Sequence, residues 1–217
     1  MASTATISVT ELYPSIQGES THAGRPCTFI RLAGCPLRCR WCDTEYSFTA
    51  GQRMTIEGIV AEAQRLAVPL VEVTGGEPLA QRGCPELLTA LCDAGFEVLL
   101  ETSGAYPFRE LDPRVTVIAD LKCPGSGEVQ RNLMNELSQL RDGDELKIVV
   151  ADDHDIHWAL EQLRGPLAEC RAKVLWSSVA GEMEPAHLAQ MIMRLGAPGR
   201  LQIQLHKVLW PNVDRGV

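Results

Sequence analysis

Apolar residues recur along this chain in two alternating rhythms. Short, nearly continuous runs at 26–33 (PCTFIRLA), 68–74 (VPLVEVT), 96–102 (FEVLLET), 115–120 (VTVIAD), 145–151 (ELKIVVA), 173–177 (KVLWS) and 200–206 (RLQIQLH) predict seven strands. Between them the spacing lengthens to the helical period. Thr55 is placed to cap a helix that buries Ile56, Ile59, Val60 and Ala63, and a second helix near 85–94 turns Leu87, Leu88 and Leu91 inward. Further helices are predicted near 128–140, at 153–164 with Ile156, Ala159, Leu160 and Leu163 on one face, and around Leu188, Met191, Ile192 and Leu195. Residues 6–13 alternate weakly and suit a short strand or an extended arm. Strands apolar on both faces, each followed by a helix, imply a parallel sheet covered on both sides. Seven strands are one short of a closed eight-stranded barrel, and Pro107 and Pro113 leave little room for a helix at 105–113. The expected fold is therefore α/β, a partial (incomplete) TIM-type barrel with outer helices and its chemistry at the C-terminal strand ends.

Composition narrows the class. A chain of 217 residues, 45% of them hydrophobic, can bury one sizeable core, and no Pro/Ser-rich linker divides it, so 1–217 reads as one domain. A net charge of −8 with scattered basic residues argues against a nucleic-acid surface. No apolar run approaches the ~20 residues that span a bilayer, and MASTATISVTELYP lacks the basic and apolar segments of a leader. The eight cysteines are thus expected to be reduced, in a cytoplasmic protein.

Three of them stand apart. GCPLRCRWCD sets Cys35, Cys39 and Cys42 in a Cys-x3-Cys-x2-Cys array within the loop 34–47, at the end of the strand 26–33. Thiols so close must share one object. Structural zinc takes four ligands, and no fourth Cys or His is near; a 4Fe-4S cluster on three thiolates keeps one iron open. Zinc with a distant fourth ligand, or unliganded thiols, remain the alternatives. The other cysteines (27, 84, 92, 123 and 170) lack cluster spacing and read as packing residues.

Four further motifs end strands. TGGEP (74–78) brings bare backbone close to a ligand or makes an ordinary tight turn. In DLK, Asp120 is a candidate acceptor for ribose hydroxyls and Lys122 a candidate partner for a carboxylate, the alternative being a solvated surface pair. Glu101 and Ser103 of ETSG offer more ribose partners, and Ser177, Ser178, Val179 and Ala180 suit an adenine edge or a plain turn. His206 is a candidate substrate donor, whereas His22, His154, His157 and His187 read as surface or helix positions.

The cysteine array, with Trp41 before its last member, resembles the radical S-adenosylmethionine (SAM) signature. Together with ELYPSIQGES, TGGEP, ETSG, DLKCPGSGE, DELKIVV and LHKVLWP, it makes nearly the whole chain similar to the 7-carboxy-7-deazaguanine synthases. That resemblance implies a radical SAM lyase converting 6-carboxy-5,6,7,8-tetrahydropterin to 7-carboxy-7-deazaguanine with loss of ammonia, in queuosine biosynthesis. It implies a 4Fe-4S cluster on Cys35, Cys39 and Cys42, SAM and Mg²⁺, with Thr44 as a metal ligand. Substrate contacts carried over by position are Ile16, Gln17, Gly18, Arg31, Thr74 and Pro211. SAM contacts are Trp41, Cys42, Asp43, Gly76, Asp120, Leu121, Lys122 and Ser177 to Ala180. An electron-donating flavodoxin or ferredoxin and a homodimer are implied as partners. Two other readings share part of the pattern: a glycyl-radical activating enzyme, and a non-catalytic zinc-stabilised binding module. The chain departs from family patterns in running past Pro211 to Val217 and in carrying DLK where some members have SPK.

Overall fold

A computed structural model describes residues 6–49, 51–213 and 215–217. Among the described residues the nine strands are β1 (Thr6–Ile16), β2 (Pro26–Leu32), β3 (Gln52–Thr55), β4 (Leu70–Gly75), β5 (Glu97–Thr102), β6 (Thr116–Lys122), β7 (Glu145–Val150), β8 (Lys173–Ser178) and β9 (Arg200–Leu201). They form one open sheet in the order β3-β1-β2-β4-β5-β6-β7-β8-β9. From β2 through β9 each neighbour is parallel, while β1 runs antiparallel to both β2 and β3. The sheet stops short of closure, as a partial barrel must.

Strand alternation sorts the side chains. Val71, Val73, Leu100, Ala119, Leu121, Leu146, Ile148 and Trp176 point outward into two apolar layers beneath the helices. Those helices are α1 (Ile56–Leu66), α2 (Cys84–Asp93), α4 (Asp153–Arg164) and α5 (Pro185–Leu195), with short α3 (Met134–Leu137) and α6 (Leu205–Leu209) completing the series. Thr55 caps α1 as its position suggests, its hydroxyl accepting from the Gly58 N–H at 3.1 Å. Inside the sheet, Cys27, Phe29, Leu70, Leu99 and Ile118 make a small apolar floor. Above that floor the inward positions become polar.

Two predicted elements differ. The helix expected at 128–140 shrinks to α3 because Asn132 accepts from the Lys122 N–H and donates to its carbonyl, both at 2.9 Å, which ties the segment to the end of β6. The strand expected at 200–206 ends at Leu201. There the Leu205 N–H donates to the Gly18 carbonyl at 3.2 Å and Gln204 to Glu19 at 2.8 Å, drawing the chain off the sheet edge into α6. β3 went unforeseen because its four residues are mostly exposed and carry no apolar rhythm.

Candidate active site

The C-terminal strand ends open into a cleft of about 690 Å³ lined by Cys35, Cys39 and Cys42, by β1 and by residues of 204–213 and 215–217. The cysteine loop is held by backbone rather than by its thiols. Gly34 N–H donates to Ser47 O at 2.8 Å, Arg40 N–H to Ser126 O at 3.0 Å, and Leu37 is buried beneath. All three thiols are free and partly exposed. Among the described residues, the group of three His, Cys, Asp or Glu ligand atoms lying within 4.8 Å of one another is Asp152, His154 and Asp155, not the cysteines. Thiolates around one zinc ion would stand about 3.8 Å apart, given Zn–S bonds of about 2.3 Å. The all-sulfur donor set of three thiols on one loop suits an iron–sulfur cluster.

The TGGEP turn is built against that loop. Gly76 N–H donates to Leu32 O at 3.1 Å and Glu77 N–H to Gly34 O at 2.8 Å. A Cβ on Gly75 would lie 2.2 Å from Leu32 O, and one on Gly76 would lie 2.4 Å from Gly34 O, so only glycine fits either place. Glu77 is fully buried and accepts from the N–H groups of Leu79 and Ser103 and the hydroxyls of Thr102 and Ser103, which locks the turn to the end of β5.

The inward positions above the apolar floor carry opposed charges. Lys147 is ion-paired with Glu101, lies 3.2 Å from Glu19 and 3.5 Å from Asp120, and Lys122 meets Asp120 at 2.5 Å. DLK is thus a largely buried pair rather than a solvated one. Burial opposes the charge on both lysines, but the carboxylates outweigh it, Asp120 foremost, and hold both ammonium groups above the ordinary lysine value. Burial likewise opposes the charge on Glu19, yet Lys147 and Gln204 hold it below the usual carboxylate range. Arg31 donates to Glu11 at 3.0 Å and to the Tyr13 hydroxyl at 3.4 Å.

Burial first, and then the neighbouring Glu101, push the Glu72 carboxyl up to about 8. A carboxyl with a raised folded value favours folding only while protonated. Relative to a permanently neutral isostere, stability should fall as pH rises from about 4.5, the unfolded value, through the folded value, and level off above it. Glu72→Gln is therefore expected to match wild type near pH 4 and to melt several degrees higher at pH 9. Thermal unfolding of both proteins across that range checks it, and a pH-independent gap would refute the assignment.

Of the residues proposed from the sequence, Ile16, Gln17, Gly18, Arg31, Trp41, Asp43, Thr44, Thr74, Gly76, Asp120, Lys122, Ser178, Val179, Ala180, His206 and Pro211 all line the cleft with the three cysteines. Two side chains do not. Leu121 points outward into the apolar layer, because it alternates with Asp120 and Lys122. Ser177 is buried below the rim, its hydroxyl without a partner among the described residues. Glu19, Glu72 and Lys147 line the cleft but were not singled out from the sequence. The available signal was a charge interrupting an apolar run, in VPLVEVT and ELKIVVA.

Comparison with known proteins agrees with this geometry. Residues 29–122 match the Radical SAM superfamily. The crystal structure of QueE from Escherichia coli superimposes with a TM-score of 0.76 over 92% of this chain and 94% of that one, at 24% identity, which supports the fold. The Streptococcus suis SuiB structure bound to precursor peptide SuiA shares the core more distantly, with a TM-score of 0.52 over 78% of this chain and 46% of that one, at 11% identity. The 7-carboxy-7-deazaguanine synthase of Koribacter versatilis is 38% identical, covering 96% of this chain and 99% of its own. That of Chlorobaculum tepidum is 44% identical over the full length of both chains. With that extent of identity and the cysteine loop, glycine turn and charged floor in one cleft, the chain belongs to the 7-carboxy-7-deazaguanine synthases of the radical SAM superfamily.

Proposed function

We propose that this protein contracts the ring of 6-carboxy-5,6,7,8-tetrahydropterin to 7-carboxy-7-deazaguanine with loss of ammonia, for queuosine-type deazapurine synthesis. The observation that carries this reading is the cleft itself, where the cysteine triplet faces a polar floor large enough for a nucleoside-sized cofactor and a bicyclic substrate. Cys35, Cys39 and Cys42 would hold a 4Fe-4S cluster, and cluster and SAM together supply hydrogen-atom abstraction. The protein's part is orientation. Gly76 presents backbone to the SAM side, and Asp120 and Lys122 offer an acceptor and a cation beside it. Ser178, Val179 and Ala180 continue that wall, while Ile16, Gln17, Gly18, Arg31, Thr74 and Pro211 border the substrate side. Anaerobic protein given SAM, dithionite, Mg²⁺ and the carboxylated pterin should yield a product of the mass of 7-carboxy-7-deazaguanine. Failure to form it with a full iron complement would overturn the reading.

Thr44 is the proposed Mg²⁺ contact. Thr44 lines the cleft, and its hydroxyl does not cap the turn that follows but lies 3.8 Å from the Cys42 Sγ. One hydroxyl is a weak ligand for an ion that prefers six oxygens, so substrate and water would complete the shell. Thr44→Val is expected to keep iron content and SAM affinity while losing most of the Mg²⁺ stimulation of product formation; an unchanged magnesium response would remove Thr44 from the site.

Exposed side chains support two partner readings. Arg38 and Arg40, exposed on the cysteine loop, suit an acidic flavodoxin or ferredoxin as electron donor. Ile203, Val208, Leu209 and Val213 are exposed on the C-terminal segment and suit coverage by a second copy in a homodimer. No helix among the described residues is long and apolar enough to cross a membrane, and the eight free cysteines suit a cytoplasmic setting. The single sheet supports reading the chain as one domain.

A further inference from the structure

Most buried carboxylates in this fold are saturated by it. Glu77 accepts from four donor groups on neighbouring segments. Glu136 accepts from the N–H groups of Phe108 and Arg109, both at 3.0 Å, and from the Arg109 guanidinium at 2.7 Å. Asp155 accepts from the N–H groups of Gly125 at 2.8 Å and Ala151 at 3.1 Å. Each of these carboxylates has both oxygens engaged by the protein.

Glu72 is the contrast. It is 2% exposed and lines the cleft, yet its carboxyl receives a single hydrogen bond among the described residues, from Gln17 Nε2 to Oε2 at 3.0 Å. It forms no close ion pair with any described residue; Lys147, the nearest source of positive charge, is committed to Glu19, Glu101 and Asp120. A carboxyl this buried is expected to be hydrogen-bonded on both oxygens, and the free oxygen needs donors that the protein does not supply. Gln17 is itself held in place, its Oε1 accepting from the N–H groups of Glu19 at 3.0 Å and Ser20 at 3.1 Å, which leaves Nε2 turned toward Glu72. That commitment fixes the amide so that it aims Glu72.

The surroundings specify the donor. Strand register sets Glu72 beside Phe29 on β2 and Leu99 on β5, and the Phe29 ring stacks on Tyr13 with centroids 5.5 Å apart. Phe29 and Tyr13 also line the cleft. A carboxyl at the foot of an aromatic wall fits the edge of a flat heterocycle carrying adjacent N–H groups. It does not fit an anionic edge, which Glu72 and Glu101 would repel; that edge belongs toward Arg31.

We propose that Glu72 is a substrate-binding residue that accepts paired hydrogen bonds from the ring N–H and exocyclic amino group of a 2-amino-4-oxopyrimidine edge, with Gln17 holding it in position. This rests on the pterin reading above and names the edge by which the substrate is recognised. Burial and the neighbouring Glu101 raise the Glu72 titration in the free protein, and two ligand N–H donors would oppose that shift by stabilising the carboxylate.

The test is anaerobic calorimetric titration of cluster-loaded, SAM-bound protein with 6-carboxytetrahydropterin and with its analogue lacking the 2-amino group. Wild type is expected to bind the analogue about 10- to 100-fold more weakly, the range for a hydrogen bond to a charged group. Glu72→Gln, which can still accept from Gln17, is expected to bind the parent compound about 10- to 100-fold more weakly and to lose most of the discrimination, with SAM affinity and iron content unchanged. Unchanged pterin affinity in Glu72→Gln would overturn the proposal. So would a wild type that binds both compounds equally, a result that needs no variant to fold. Wild type that forms product without discriminating removes Glu72 alone, whereas wild type that neither binds the pterin nor forms product removes the substrate reading with it.

Discussion

Cys39→Ala protein, reconstituted with iron and sulfide without oxygen, is expected to hold little iron, to lack the brown colour near 400 nm and to form no detectable product. The reason is coordination number. Three thiolates are already one fewer than the four that ordinarily hold a cubane, and removing Cys39 leaves two, at Cys35 and Cys42. The loss should be confined to the cluster, because the loop owes its shape to other groups. Its backbone bonds to Ser47 and Ser126, and buried Leu37, do not involve the Cys39 side chain. Melting of the metal-free chain should therefore stay close to wild type, within the ~0.5 kcal/mol typical of a substitution outside the core. Iron and sulfide analysis beside a melting curve separates these effects. A variant with a full iron complement that still cleaved SAM would sink the assignment.

Lys147→Met should be the most damaging change away from the cysteines. The Lys147 side chain is 9% exposed and its ammonium is shared by Glu19, Glu101 and Asp120, so its removal leaves three largely desolvated carboxylates with Lys122 as the nearby cation for only one of them. Removing one partner of a buried charge group costs about 3–5 kcal/mol, because the remaining charges lose compensation while still desolvated. The pH dependence has a definite sign. The folded value of Lys147 lies above its unfolded 10.5, so its contribution is fully present below that pH and is lost only as pH climbs through the folded value. Glu19, held low in the fold, stabilises above its unfolded 4.5, a contribution lost as pH falls through its folded value. The stability gap between wild type and Lys147→Met should thus be flat from pH 6 to 9 and narrow in acid. Denaturant unfolding at pH 4 and pH 8 measures it; equal midpoints at pH 8 would show that the network carries no net stabilisation.

Much of this was legible from local pattern, because the features concerned are local. Continuous apolar runs such as 68–74 and 145–151 can be buried only as inner strands, and a Cys-x3-Cys-x2-Cys array confines three thiols to one loop whatever surrounds it. The Thr55 cap and the glycines of TGGEP belong to the same kind, since cap and turn chemistry acts over a few residues. The chain itself thereby determined the parallel partial barrel, the strand ends that carry the chemistry and the cysteine centre. What it left open depends on contacts between distant positions. Asn132 reads as a helical residue until its side chain pairs with the backbone of Lys122, and 200–206 reads as a strand until Gly18 and Glu19 capture Leu205 and Gln204. Leu121 and Asp120 are adjacent in sequence, yet strand alternation sends one into the apolar layer and the other into the cleft. Only the tertiary structure decided that Glu72 and Lys147 face that cleft, and that one is short of partners while the other is surrounded by them. Burial, charge pairing and hydrogen-bond satisfaction are properties of the space between strands, and no single stretch of the chain contains that space.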